Sequence, residues 1–273
     1  MSGFSASWLE LREPYDRAAR NASVIDAVSA ALAHQPSVSI VDLACGTGST
    51  FRALSPRIKA RQTWRLADND LSLLARTPES SPPDIHVATL PVDLNHDLEA
   101  ALDGPADLVT TSALLDLVSD EWLERLAIEA AARRLPVYAG LTYDGRIEMT
   151  PKHSADAAVV DAVNRHQRTD KGFGPALGPD AARAAVARFE HVGYSVVHGD
   201  ADWVFGPDDR TIQLETLSGW AAAAREIGGV GLPDVVDWLT RRRALVTAGR
   251  SAIRVGHVDF FARPTLTKPI GSR

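Results

Sequence analysis

The sequence predicts an α/β protein built on a largely parallel sheet. Three observations carry this. Short β-branched or apolar runs alternate with stretches of helical hydrophobic spacing from about residue 37 to residue 143. The first run, Ser37-Val-Ser-Ile-Val-Asp-Leu-Ala-Cys45, is almost continuously apolar, as a strand buried on both faces is. It stops at Gly46-Thr-Gly48, where the chain can turn tightly from strand into helix because no Cβ stands in the way.

Ahead of that strand, residues 5–34 read as two helical stretches. Trp8, Leu9, Leu11 and Tyr15 lie on the first; Val24, Val28, Ala31 and Leu32 lie on the second, with Ser23 and Asp26 marking its start. A short helix from about Ser49 to Leu54 follows the glycine turn. Trp64–Ala67 predicts a second strand ending at Asp68, and Leu71–Ala75 the helix after it. The Pro/Ser-rich Thr77–Asp84 stretch predicts a surface loop. Ile85–Leu90 is a third strand ending near Asp93, and Asp107–Ser112 a fourth. Ser119-Asp-Glu opens a helix carrying Leu123, Leu126 and Ala130, and Pro136–Leu141 is a fifth strand. Beyond Thr142 the alternation breaks. A helix around Ala155–His166 is followed by the Gly/Pro-rich loop Lys171–Pro179 and by a helix opened at Pro179-Asp180 and closed by Gly193. A strand at Tyr194–His198 comes next, then two helices within 208–250. The last strand is Ala252–Ala262, whose alternation changes phase near Gly256-His257 as at a bulge.

Composition narrows the function classes. In 273 residues, 45% hydrophobic and 23% charged side chains supply a full core with no case for disorder. Thirty-five acids against 29 bases give a net charge of −6, which disfavours a polynucleotide partner. The single cysteine, Cys45, cannot form an intramolecular disulfide or a Cys-rich zinc site, so the expected compartment is the reducing cytoplasm and no metal is expected. The N-terminal stretch has neither a signal-peptide pattern nor a membrane span, and no later window reaches bilayer length.

Val41-Asp-Leu-Ala-Cys-Gly-Thr-Gly-Ser49 carries the chemistry. Glycines at a strand-to-helix turn let a ligand approach the backbone, and the helix start offers free N–H groups. A dinucleotide fingerprint wants a third glycine where Phe51 stands, and no Gly-Lys-Ser/Thr follows for a nucleoside triphosphate. The stretch Asp42-Leu-Ala-Cys-Gly46-Thr-Gly48 resembles the acid-x-x-x-Gly-x-Gly motif of the class I S-adenosylmethionine-dependent methyltransferases. Three further positions match in order and spacing: Asp68 closing the second strand, Asp93-Leu94 after the third, and Ser112 ending the fourth.

The resemblance implies a Rossmann-like, seven-stranded, mostly parallel sheet whose last strand is antiparallel, with helices on both faces. It implies S-adenosyl-L-methionine as cofactor, lying over Ala44, Gly46, Thr47 and Gly48. Asp68, beside Asn69, would accept from the ribose hydroxyls, Asp93 and Leu94 would lie near the adenine, and Ser112 beside the methionine part. The cofactor is a net cation, which an acid-lined site favours. Its carboxylate needs a positive partner, for which Arg12 and Arg20 are candidates, Arg20 the preferred one.

The methyl acceptor should enter at the carboxyl ends of the strands. Asp116, Tyr143 and His166 are the candidate catalytic groups, with Arg168 or Lys171 to hold an anionic acceptor and Phe173 nearby. The Asn/Asp-Pro-Pro-aromatic motif of amino-methylating DNA enzymes is replaced by Thr-Thr-Ser-Ala113, and a cytosine-5 methylase cysteine is missing there, leaving a small-molecule acceptor. Two other outcomes stay open: a methyltransferase-fold binding protein without turnover, and a nicotinamide-dependent oxidoreductase. Asp93 and Ser112 have local alternatives as a helix cap and a backbone partner. Cys45 reads as a small buried residue, Arg241-Arg-Arg243 as a solvated helix face, and Trp122, Trp220 and Trp238 as packing. The expected organisation is one domain over 1–273: an N-terminal helical segment (1–36), a cofactor-binding half (37–144), and substrate-side insertions at 145–178 and 208–250.

Overall fold

A computed structural model describes residues 4–77 and 83–265. Two helices, α1 (Ala6–Ala19) and α2 (Ala22–Leu32), precede the sheet. The rest runs β1 (Ser37–Leu43), α3 (Ser49–Leu54), β2 (Arg61–Asp68), α4 (Leu71–Leu74), β3 (Ile85–Pro91), α5 (Leu98–Leu102), β4 (Leu108–Ser112), α6 (Asp120–Arg133) and β5 (Val137–Thr150). Then come α7 (Asp156–Gln167), α8 (Ala181–His191), β6 (Tyr194–Asp200), β7 (Trp203–Phe205), α9 (Arg210–Ile227), α10 (Leu232–Thr247) and β8 (Ala252–Pro264). Of the expected 77–84 loop, 78–82 lie outside the described residues.

The strands form one eight-stranded sheet in the order β3-β2-β1-β4-β5-β8-β6, with β7 alongside β8. Neighbours from β3 to β5 pair parallel, and β8 runs antiparallel to β5, β6 and β7. The α/β class and mostly parallel sheet are therefore as the sequence predicts. Side-chain alternation sends each strand's apolar residues to both faces. On one face, Val137 and Ala139 of β5 join Leu98, Trp122, Leu126, Ala185 and Phe189; on the other, Tyr138 joins Val24, Val28, Phe51, Leu54 and Trp64.

Three differences from the sequence reading matter. The second helix is capped by Asn21, whose side chain accepts from the Val24 N–H, and not by Ser23. β7 makes eight strands instead of seven; its three residues are too short for a pattern to declare itself. β5 continues nine residues past Leu141, to Thr150. This second half pairs with the first half of β8, and with β7 it raises a wall beyond the carboxyl ends of β1 and β4. The irregularity expected near Gly256-His257 is present, but the extra residues, Asp144 to Arg146, sit on β5 between the Tyr143–His257 and Ile147–Val255 pairs.

A third apolar cluster covers that wall, where Tyr143, Met149, Trp203, Phe205 and Val255 meet residues of α7, α9 and α10. Here the Arg241–Arg243 expectation is corrected: Arg242 is fully buried, because it continues the inward stripe of Val235, Trp238 and Val246. Its charge is matched by Asp156, which also accepts from Trp238 Nε1 at 2.9 Å, and Arg242 Nη1 donates to the Pro151 carbonyl at 2.8 Å. Among the described residues, no helix is long and apolar enough to cross a membrane.

Removing one member of a buried ion pair strands the other charge. Arg242→Ala is expected to lower unfolding free energy by about 3–5 kcal/mol, read from denaturant melts, whereas Arg241→Ala leaves it within about 0.5 kcal/mol.

Candidate functional site

The carboxyl ends of β1, β2 and β4 open into a cavity of about 640 Å³, roofed by α1. Its floor is the turn after β1. Ala44, Gly46 and Gly48 all take positive φ, at 52°, 54° and 84°, and a Cβ on Gly46 would stand 3.2 Å from Leu9 Cδ1 of α1. The glycine is required by that close approach as well as by its dihedral. Asp68, at the tip of β2, ties the turn down: Gly46 N–H donates to its Oδ2 at 2.8 Å and Asp70 N–H to its Oδ1 at 3.0 Å. Asp70 in turn caps α4 by accepting from Ser72 N–H at 2.8 Å.

Helix α1 is fastened over this floor at several points. Glu13 accepts from Arg52 Nε at 2.7 Å, and Arg52 also donates to the Thr47 carbonyl. Although burial pushes the Glu13 pKa up, hydrogen bonds and charge from Arg52 and Arg17 outweigh it, and the group ends below its ordinary value. Tyr15 donates to Asp209 at the start of α9 at 2.7 Å, and Asp16 accepts from Trp203 Nε1 on β7 at 2.9 Å.

Among the expected cofactor residues, Ala44, Gly46, Thr47, Asp68, Asn69, Leu94 and Ser112 stand in the cavity wall. Gly48 caps α3 just beyond it. Asp42 is fully buried beneath the turn, with Thr110 Oγ1 donating to Oδ1 at 2.7 Å and Oδ2 without a partner; burial pushes its pKa up to about 7. Arg20 lies behind Ser112, donating to Ser112 Oγ at 3.3 Å and to the Tyr138 hydroxyl at 2.8 Å, and its Nε is a buried donor without a partner. It passes directly over Gly140, where a Cβ would stand 2.6 Å from Arg20 Nη1. Asp93 does not reach the wall: it accepts from Asn95 N–H at 2.9 Å and contacts His96 on the surface, closing a turn, while the N-cap position of α5 is Asp97, so the helix-cap alternative does not hold either.

This architecture is similar in fold to several solved structures, a methyltransferase among them. A proposed type II methyltransferase from Anaeromyxobacter dehalogenans matches 91% of this chain and 98% of its own, with 14% identity and a TM-score of 0.54. A cyclopropane-fatty-acyl-phospholipid synthase-like protein from Lactobacillus casei matches 92% and 99%, with 14% identity and a TM-score of 0.51. The YcgJ protein of Bacillus subtilis matches 90% and 100%, with 11% identity and a TM-score of 0.51. The chain has the class I methyltransferase fold. No protein-family model matches it, and no curated protein matches it in sequence.

In this methyltransferase fold the expected catalytic groups are spread unevenly. Asp116, in the loop after β4, is buried; its Oδ1 has no partner among the described residues, and burial pushes its pKa up to about 6 against the lowering effects of backbone N–H groups and of the Arg12 charge; neither it nor Tyr143 is part of the cavity lining. Tyr143 is buried on the wall, its hydroxyl donating to Asn164 Oδ1 at 2.6 Å. His166 does not line the cavity; its Nε2 faces Glu226 at 3.3 Å and its Nδ1 lies 3.4 Å from Lys171 Nζ. Lys171 and Phe173 do line it. Phe173 packs edge-on against Trp122, whose Nε1 donates to the Leu94 carbonyl at 2.7 Å. Arg168 is committed elsewhere, to Asp180 at 3.0 Å. Cys45 is in the wall, but burial and the charges of Asp42 and Asp68 push its thiol far up, so it is no nucleophile.

Leu9, Arg12 and Asp16 complete the roof. Their spacing places them on one helix face, but the sequence alone gives no sign that this face looks onto the glycine turn.

The Asp116 carboxyl holds its proton in the native state up to about pH 6, against an ordinary value of 3.8. Ionisation therefore costs the native state, and the Asp116 contribution to stability falls as pH rises through that window. Asp116→Asn cannot ionise; it is expected to match wild type in urea melts at pH 4 and exceed it by about 2–3 kcal/mol at pH 8. An equal effect at both pH values would contradict the burial of the charge.

Proposed function

We propose that the chain is an S-adenosylmethionine-dependent methyltransferase acting on a small-molecule acceptor. The observation that carries this is the joint made by Gly46 and Asp68, a carboxylate bound to the glycine turn at 2.8 Å on the rim of a cavity of about 640 Å³. Each Asp68 oxygen accepts one backbone N–H and keeps a lone pair, so the carboxylate can accept from two vicinal hydroxyls without giving up its hold on the loop. Leu71, Val92 and Leu94 supply an apolar slot beside Asn69 for a flat base. The unpartnered atoms also fit. Asp42 Oδ2 beneath the turn is a buried acceptor and Arg20 Nε behind Ser112 a buried donor; neither lines the cavity, and an ammonium with a carboxylate reaching past its lining would satisfy one of each.

When bound, S-adenosylmethionine supplies a methyl group on a sulfonium that departs as a neutral thioether. The protein's work is then to align the acceptor and exclude water, an effect worth up to about 7–11 kcal/mol. The roof of α1 serves both ends. Asp116 is the proposed group to take the acceptor's proton: it is buried in the loop after β4, lacks a partner on Oδ1, and has its pKa pushed up to about 6 by burial, and reaching it takes the acceptor past the cavity lining. Tyr143 shapes the same region, and His166 acts on the cavity through Lys171.

Isothermal calorimetry with S-adenosylhomocysteine tests the proposal. Folded wild type is expected to bind it, and no binding at millimolar concentration would sink the proposal. Tight binding of NADH in its place would favour the oxidoreductase alternative. Asp68→Asn and Gly140→Ala, the second displacing the Arg20 guanidinium, are each expected to weaken binding by about tenfold or more, on the order of 1.4 kcal/mol.

A further inference from the structure

On the α1 side of the cavity the groups do not suit a nucleoside. Arg12 of α1 is buried, at 7% exposure, yet lines the cavity. Its position is fixed from two sides. Nε donates to Asp16 Oδ2 at 2.9 Å, and the guanidinium carbon lies 4.8 Å above the centre of the Trp203 ring. Asp16 is itself locked, because its other oxygen accepts from Trp203 Nε1 at 2.9 Å. Beyond the Nε bond, the terminal nitrogens of Arg12 have no hydrogen-bond partner among the described residues, and these form the planar edge that matches a carboxylate.

Asp116, buried in the loop after β4, lies within range of the Arg12 charge but does not line the cavity. Arg12 is the cation whose charge is felt there, although no salt bridge joins the two. The remaining titratable neighbours are Tyr143 and His257, whose rings lie 6.1 Å apart, with His257 also 4.8 Å from Trp203. His257 stays neutral, its pKa lowered to about 3 by burial and then by Arg12, with Nδ1 3.1 Å from the Val255 carbonyl. The free guanidinium edge of Arg12 is thus the group that this side of the cavity offers to a ligand. A ligand that pairs with it carries an oxyanion.

We propose that the methyl acceptor is a small carboxylate bearing a hydroxyl or amine, with its carboxylate held by the Arg12 fork. This rests on the methyltransferase proposal above, in which Arg20 serves the cofactor and leaves Arg12 to the acceptor. Asp16 and Trp203 are then positioning residues that hold the fork, and the short strand β7 exists at this place to present Trp203.

The test is calorimetry on wild type saturated with S-adenosylhomocysteine, using glycolate, lactate, glycine, 3- and 4-hydroxybenzoate and anthranilate, each beside its primary amide. At least one acid is expected to bind about tenfold or more tighter than its amide. Arg12→Gln is expected to abolish that preference, and Arg12→Lys, which keeps charge but not the planar edge, to reduce it about fivefold or more. S-adenosylhomocysteine affinity should stay within about threefold of wild type in both. Acids binding no better than amides, or not at all at millimolar concentration, would overturn the proposal, and the wild-type comparison decides this even if Arg12→Gln does not fold. A loss of S-adenosylhomocysteine affinity in Arg12→Lys equal to the loss for the acid would also overturn it, by giving the fork to the cofactor's carboxylate. If wild type binds no S-adenosylhomocysteine but still prefers an acid through Arg12, the methyltransferase proposal fails while the anchor stands.

Discussion

The carboxylate of Asp259 organises the centre of the molecule. Fully buried on β8, it accepts from Leu141 N–H at 2.7 Å, from the Tyr138 hydroxyl at 3.0 Å and from Asn21 N–H at 3.0 Å. Two of those donors belong to β5, one at its bulge and one just before it, and the third to the junction of α1 with α2. Burial raises the Asp259 pKa, and the nearby Arg20 charge and the donated hydrogen bonds oppose that rise without cancelling it. Tyr138 passes the interaction on to Arg20, and Arg20 to Ser112 at the end of β4. One side chain thus fixes where the antiparallel half of the sheet meets the parallel half, where α1 departs, and where a guanidinium stands behind the cavity.

That anchoring explains how α1 can act as a roof. A lone helix of fourteen residues is marginal in water, and this one has Pro14 inside it. It is held by its contacts: Glu13 to Arg52 at the glycine turn, Tyr15 to Asp209, Asp16 to Trp203, and the Asn21 junction at its end. Each clamp comes from a different part of the chain. The glycine turn, the β7 strand and the α9 insertion are therefore linked through α1, and a ligand under the roof would be sensed by all of them.

Much of this was legible in the sequence where the signal is local. The apolar run ending at Gly46 and the acids at 42 and 68 fall on the turn and rim that were expected, because strand ends and left-handed turns are dictated by neighbouring residues. What could not be read depends on partners far along the chain. β7 has no pattern of its own and is a strand only because β8 runs beside it; the extension of β5 to Thr150 likewise follows from pairing with 252–255. Asp259 looks like a polar break in a strand until its three donors are assembled around it. Arg242 shows the opposite case: its stripe with Val235 and Trp238 was visible in the spacing, but a run of three arginines reads as solvated unless Asp156 is known to face it.

The unpaid costs of the fold are concentrated where a ligand would repay them. Positive φ at non-glycine residues occurs at Ala44, Ala113 and Leu141, just beyond β1, just beyond β4 and within β5 at its bulge, and otherwise among the described residues only at Arg134, a helix C-cap. Buried side-chain atoms without partners follow the same map: Arg20 Nε, Asp42 Oδ2, Asp116 Oδ1 and Thr142 Oγ1 lie at this end of the sheet, with three others around α9. A structural polar group left unpaired costs about 1–3 kcal/mol and tends to be eliminated or satisfied. Arg242, Gln62 and Asp259, which support only the fold, are satisfied in full view of that rule. Strain at Ala44 and Ala113 falls in the cavity wall, and partnerless atoms of Arg20, Asp42 and Asp116 lie at the same end of the sheet while Arg242 and Asp259 are paired, as a preorganised binding site requires, since groups already committed to each other cannot be offered to a ligand.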